Sequence, residues 1–213
     1  MATPEDWQFL VDAFDPLRGP LHEGLPSAAE VAEDHFAEFD MYDKEYQAGR
    51  AHLARCHARR LLKVQSASNL GGWTVARPGP NAALWLTRDA LRLRLLRPLP
   101  GMEVPPPGPN HTSIAYYSNR HVSVLGVSAS DLIGLWDIDG AGEATIRIVR
   151  PIGRWRLGAN SKVDIDFQLP RLPQSLKELE FQPTEDLGLA LPFESEDEEG
   201  QEGTGGGADR PGG

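Results

Sequence analysis

The apolar positions change period once along the chain. Up to about residue 65 they recur at intervals of three and four; from about residue 72 they alternate. The first regime predicts helices and the second strands. Trp7, Leu10, Val11 and Phe14 fall at i, i+3, i+4 and i+7, one apolar face of a helix from Pro4 to Phe14. Thr3 suits its N-cap, Pro4 its first position, and Glu5 and Asp6 its first turn. Asp15-Pro16 ends it, and Gly19-Pro20 with Gly24-Leu25-Pro26 predicts a loop. A second helix is expected from Ser27, with Glu30 completing a capping box and Val31, His35 and Phe39 in one stripe. A third covers AGRAHLARCHARRLLKVQ (48–65), with a break expected at Gly49. Its predicted apolar band is Leu53, His57, Leu61 and Val64, with Ala54, Ala58 and Leu62 at its edge. Its polar band is His52, Arg55, Cys56, Arg59 and Lys63.

Strand candidates follow at 72–77, 82–87 and 89–98, the last with Leu91, Leu93 and Leu95 on one face and Arg92 and Arg94 on the other. A Pro-stiffened loop is expected over 101–110. The stretches 112–118 and 121–128 read as a hairpin around Asn119-Arg120. Residues 129–140 suit either a short helix or a strand. Further strands are predicted at 143–151, 153–158 and 162–170, and a short helical turn at 173–181. The expectation is an α+β fold, mainly β: an antiparallel sandwich or partly open barrel with a helical N-terminal layer. No βαβ rhythm is legible, which speaks against Rossmann and TIM architectures. The organisation read from the pattern is a helical layer at 1–68, a β domain at 69–192 and a disordered acidic tail at 193–213, which lacks apolar residues to repay ordering.

Composition narrows the class. The 213 residues include 22 Gly and 18 Pro, above the average combined share of about 12%, which favours short elements and turns. The single cysteine cannot form an internal disulfide, and the acidic start is unlike a secretory leader. No run of apolar residues is long enough to span a membrane. A cytoplasmic protein without a membrane segment is expected.

Charge adds a polarity that the net value of -10 conceals. Residues 1–49 carry 12 acids and 2 bases; residues 50–97 carry 1 acid and 10 bases. The acidic quarter is expected to fold back on the basic one. That arrangement, with an acidic tail, argues against nucleic acid, which would compete with tethered carboxylates. The alternative uses Arg55, Arg59 and Lys63 at i, i+4 and i+8, extended by Arg92 and Arg94, as a track for single-stranded nucleic acid. Trp73, Trp85, Tyr116 and Tyr117 would then stack the bases.

Catalytic chemistry is thin. His111, Tyr116, Arg120 and His121 lie close in sequence, and Asp137 could orient one imidazole, so His111, His121 and Asp137 are the candidate catalytic residues of an enzymatic or small-molecule-binding β domain. His52 and Cys56 share a helix face but lack further ligands. Asp137 and Asp139 begin a loop with two of the hard ligands calcium needs, without the glutamate at position 12. Asp164 and Asp166 project from one strand face. These four aspartates are the weak metal candidates, and no cofactor is expected. No G-x-S-x-G, P-loop, H-E-x-x-H or G-x-G-x-x-G occurs.

The reading that needs fewest assumptions is a non-catalytic protein-binding module. It acts through charge complementarity, neutralising a basic protein partner as immunity proteins do, with Arg55, Arg59, Lys63, Arg92 and Arg94 as the surface to watch. A structural subunit of a larger assembly, or a homo-oligomer joined through strand edges, is the further alternative.

Overall fold

A computed structural model describes residues 3–65, 69–77, 83–99, 101, 103–119, 130–153 and 162–172. The expected tail at 193–213, the strand at 121–128, nearly all of that at 153–158, and the turn at 173–181 lie outside them.

Helix α1 (Pro4–Phe14) forms as its sequence predicts. The Thr3 hydroxyl accepts from the Asp6 amide, the Asp6 carboxylate accepts from the Thr3 amide, and Trp7, Leu10, Val11 and Phe14 are buried. A 3-10 turn at Asp15–Leu17 leads directly into helix α2 (Arg18–Glu38). The loop expected over Gly19–Pro26 is therefore helical. Burial overrides local propensity here: Leu17, Leu21, Leu25, Ala28 and Ala32 all lie inside the core. Pro20 falls in the first turn, where no amide partner is lost, and Pro26 forgoes one helical hydrogen bond. At the start of α2, His22 Nε2 lies 2.8 Å from the Leu169 carbonyl and Arg18 donates to the Arg171 carbonyl at 2.9 Å.

Helix α3 (Gln47–Val64) follows a 3-10 turn at Lys44–Tyr46. The chain breaks at 39–46 rather than at Gly49, which sits in the first turn of α3. A Cβ there would meet Phe36 Cζ at 3.0 Å, so the glycine admits the Phe36 ring between α2 and α3. The buried face is shifted to the expected edge of the apolar band. Ala54, Ala58 and Leu62 are buried, whereas Val64 is 80% and Leu61 38% exposed. Arg55 and Arg59 consequently lean toward the sheet and are half-buried.

Among the described residues six strands form one sheet in the order β1 (Thr74–Val75), β2 (Leu84–Arg88), β3 (Leu91–Leu96), β4 (Ser130–Ile138), β5 (Ala144–Pro151) and β6 (Val163–Gln168). The fold is α+β, with an open sheet and a helical N-terminal region. Among the described residues it is one mixed sheet rather than the expected antiparallel sandwich or partly open barrel. Four neighbouring pairs are antiparallel, but β3 and β4 are parallel, from Leu91–Ser130 to Leu96–Leu135. A parallel pair requires a crossover. Here it carries α4 (His111–Ser118), where the alternating pattern predicted a strand. The Asn110 side chain caps α4 by accepting from the Ser113 amide at 2.7 Å, and left-handed Asn119 (φ 43) ends it. One βαβ unit therefore exists that the sequence rhythm concealed.

The larger core joins α1–α3 to one sheet face through residues such as Phe14, Trp73, Leu93, Trp136, Ile148 and Phe167. Phe14 touches both Trp73 and Phe167, at centroid distances of 5.2 and 5.9 Å. Gly71 (φ 60) makes the turn before Trp73. A Cβ there would lie 2.3 Å from Pro16 Cγ, so only glycine satisfies both the angle and the space. The opposite face packs Tyr116 and Tyr117 of α4 against Ile133, Leu135 and Val149.

Candidate functional site

The mixed sheet creates one geometrical singularity, the carboxyl ends of the parallel strands β3 and β4. Open α/β sheets place ligand crevices at such ends. Arg97 directly follows β3, and Asp137 is the penultimate residue of β4. Above them, α2 and α3 carry Ala29, Ala32, Ala51 and Ala54, whose small side chains leave a cleft of about 1010 Å³. Glu30, Glu33, Arg50, Arg97 and Asp137 supply its charge.

The charges are layered. Arg97 Nη1 donates to Asp137 at 2.8 Å, and its guanidinium carbon sits 3.8 Å from the Trp136 ring centroid. Arg50 Nη1 donates to the Met41 carbonyl at 2.8 Å, and its Nε lies 3.7 Å from Glu33. Both arginine side chains are less exposed than their acids: 38% against 58% for Arg97 and Asp137, 17% against 66% for Arg50 and Glu33. Guanidinium groups line the depth and carboxylates the rim. Burial lowers the pKa of Arg97; Asp137 and Glu33 oppose that, and the Arg55 cation adds to it. Arg55 is lowered likewise by burial first, with the charge of Arg94 contributing.

The residues singled out from the sequence are distributed differently. Arg59 donates to the Ala76 carbonyl; among the described residues its Nη1 is buried without a hydrogen-bond partner, as is Arg94 Nε. Lys63 is exposed. Arg94 lies over Trp85 with 5.4 Å to the ring centroid. Arg92 forms a two-pronged pair with buried Asp131, at 2.5 and 2.6 Å, which raises its pKa. Arg92 and Arg94 sit on the α4 side of the sheet, away from the face covered by α1–α3. Of the aromatic residues, Trp73, Tyr116 and Tyr117 are buried, and half-buried Trp85 packs edge-on against Tyr116.

His111 opens α4 and is exposed; among the described residues no hydrogen bond joins it to Asp137. His121 lies outside the described residues. Asp139 accepts the Ala141 and Glu143 amides at 2.9 Å each, clipping the β4–β5 turn. Asp164 is held by Arg150 through two 2.8 Å hydrogen bonds, and Asp166 by Arg147. Among the described residues no group of three or more His, Cys, Asp or Glu side chains could hold a metal ion.

A second surface was half legible. The Val31, His35 and Phe39 stripe of α2 points to solvent, with Val31 42% and Phe39 59% exposed and Tyr42 just beyond at 65%. The His35 ring stands edge-on to Phe39, 5.4 Å between centroids. Around the stripe Glu30, Asp34, Glu38, Asp40 and Asp43 are exposed. Arg50–Glu33 is the ion pair that joins α2 to α3 among the described residues. The acidic quarter thus packs beside the basic helix and keeps most of its carboxylates in water.

Sequence reasoning missed Arg50, Arg97 and Trp136. The available signal was an arginine just past an alternating strand and before Pro98, but its meaning depends on β3 pairing in parallel with β4. No protein-family model, curated protein or solved structure matches the chain. Among the described residues no helix is long and apolar enough to cross a membrane.

Proposed function

We propose that this protein is a non-catalytic binding module that captures a basic protein partner on the outer face of α2 and the following turn. The observation that carries the reading is the exposed Val31–His35–Phe39–Tyr42 stripe bordered by exposed carboxylates. Exposed aromatic residues beside single-sign charge fit a partner segment with apolar side chains among lysines and arginines. The carboxylates would steer encounter, and Phe39 and Tyr42 would supply the desolvated anchors. Neutralising a basic toxin-like protein in the cytoplasm is the specific form proposed. The lone free cysteine and the acidic net charge support it.

The test uses the full chain and a basic amphipathic helical peptide of lysine and leucine, with a glutamate-leucine peptide as control. Calorimetry should give saturable, salt-sensitive binding of the basic peptide alone. Phe39→Ser with Glu38→Lys should abolish it while circular dichroism stays unchanged. Equal binding of both peptides, binding of neither, or binding unaffected by the double substitution would overturn the reading.

A further inference from the structure

We propose that the cleft at the carboxyl ends of β3 and β4 is a second, separate site that binds the oxyanion of a small organic acid, a carboxylate or phosphate, between Arg50 and Arg97. The site does not depend on the α2 stripe and stands or falls without it.

Shape is the first ground. The cleft lies where a parallel pair leaves strand ends uncovered, and its volume of about 1010 Å³ exceeds what a bare ion needs. Alanines of α2 and α3 wall one side, and Pro98 and Leu99 follow Arg97 on the other. A ligand with an apolar body and an anionic head matches that division.

Charge layout is the second ground. The two guanidiniums lie deeper than Glu33 and Asp137, so an anion entering the cleft meets cations at its base. Arg97 is immobilised by stacking on Trp136, which leaves its planar fork presented at little entropic cost. Among the described residues it donates one hydrogen bond, to Asp137, and Arg50 has one 2.8 Å bond and a looser 3.7 Å contact with Glu33. Guanidinium donors therefore remain for a bidentate oxyanion. The field behind them is also positive. Arg55 raises the potential at Arg97, and the Arg94 charge acts in turn on Arg55. Each half-desolvated cation keeps donors beyond the one its rim acid engages, and a bound oxyanion would take them up.

Glu33 and Asp137, which pair with the two arginines, and Glu30 at the cleft wall compete with the ligand in this arrangement. Their neutralisation should tighten binding, an effect that a purely structural pair of salt bridges would not produce.

The experiment titrates the full chain with pyrophosphate and with glutarate, read by calorimetry and by tryptophan emission, with Trp136→Phe identifying the reporting ring. Saturable binding of at least one probe is expected, and the preferred probe separates phosphate from carboxylate chemistry. Arg97→Gln or Arg50→Gln should weaken it about tenfold or more, while Asp137→Asn or Glu33→Gln should tighten it severalfold. Failure of both probes to saturate at millimolar concentration overturns the proposal. So does binding that is unchanged in the arginine variants. If an arginine variant unfolds, the Asp137→Asn and Glu33→Gln titrations decide: tighter binding supports the site and unchanged binding overturns it.

Discussion

Arg97 stacks its guanidinium on Trp136, 3.8 Å from the ring centroid, one position beyond the last β3–β4 pair, Leu96–Leu135. The contact clamps the open ends of the parallel strands and sets the depth of the cleft. A half-desolvated cation over tryptophan is worth roughly 0.5 to 2 kcal/mol. A double-substitution cycle with Arg97→Leu and Trp136→Leu, measured by urea unfolding, should return a coupling energy in that range. Additive effects would mean that the stacking contributes nothing.

Asn119 does three jobs at once. Its Nδ2 donates to the carbonyls of Asp131 and Pro151 at 2.8 and 2.6 Å, its Oδ1 accepts from the Asp131 amide at 2.7 Å, and its backbone is left-handed. Asn119→Ala should cost about 2 to 4 kcal/mol, from lost hydrogen bonds and from φ. Asn119→Gly should recover roughly 1 kcal/mol of that, because it relieves only the backbone part. Denaturation midpoints of the two variants check the order.

The buried Tyr116 hydroxyl shares its one proton between two acceptors, the Leu132 carbonyl and the Arg92 carbonyl at 3.1 Å. Burial first, then the Asp131 charge, raises its pKa well above the usual phenol value; Arg92 and Arg94 partly oppose this. Tyr117 is raised too, chiefly by burial. The folded state therefore holds these protons more tightly than the unfolded chain. Their contribution is complete below the ordinary phenol value of about 10 and is lost as pH rises above it. Tyr116→Phe should cost about 1 kcal/mol at neutral pH and flatten the alkaline loss of stability. An unfolding series that falls as steeply in the variant as in the parent would refute this.

Two ion pairs separate burial from mere proximity. Arg150–Asp164 is 11% and 8% exposed, and Arg171–Glu143 is 59% exposed on both sides. Arg150→Met strands a buried carboxylate and should cost about 3 to 5 kcal/mol. Arg171→Met should change stability by less than about 1 kcal/mol. Thermal melts of both variants at low and high salt test the contrast.

Acid exposure on α2 carries its own prediction. Asp34→Lys with Glu38→Lys touches no packed side chain, so the fold should stay within about 0.5 kcal/mol of the parent. Binding of the basic peptide should fall with a reduced salt dependence. Retained affinity alongside unchanged stability would separate the acids from the recognition surface.

Local patterns anticipated those elements whose information is local. The Thr3 capping box with the Trp7–Phe14 face specified α1, and the Leu91/Leu93/Leu95 against Arg92/Arg94 alternation specified β3 and its faces. The α2 start was misread because Pro20, Gly24 and Pro26 are breakers only until Leu21 and Leu25 are buried. Residues 111–118 were misread because β-branched and aromatic residues at short range resemble a strand. A single Asn110 cap and the hydrogen bonds of Tyr116 to the sheet tipped the segment to a helix. The α2 stripe was visible as a stripe, but not as an exposed one.

The sequence by itself determined the α+β composition, the first helix, the faces of the alternating strands and the separation of charge. Each depends on spacing within a few residues, where side-chain direction follows backbone period. Tertiary structure decided the rest. The parallel pairing of β3 with β4 brings Arg97 beside Trp136, nearly forty positions apart in the chain, and packing chose which face of α3 turned inward. Such contacts are settled by which long-range burial gains most once the chain closes on itself, and no local period encodes that outcome.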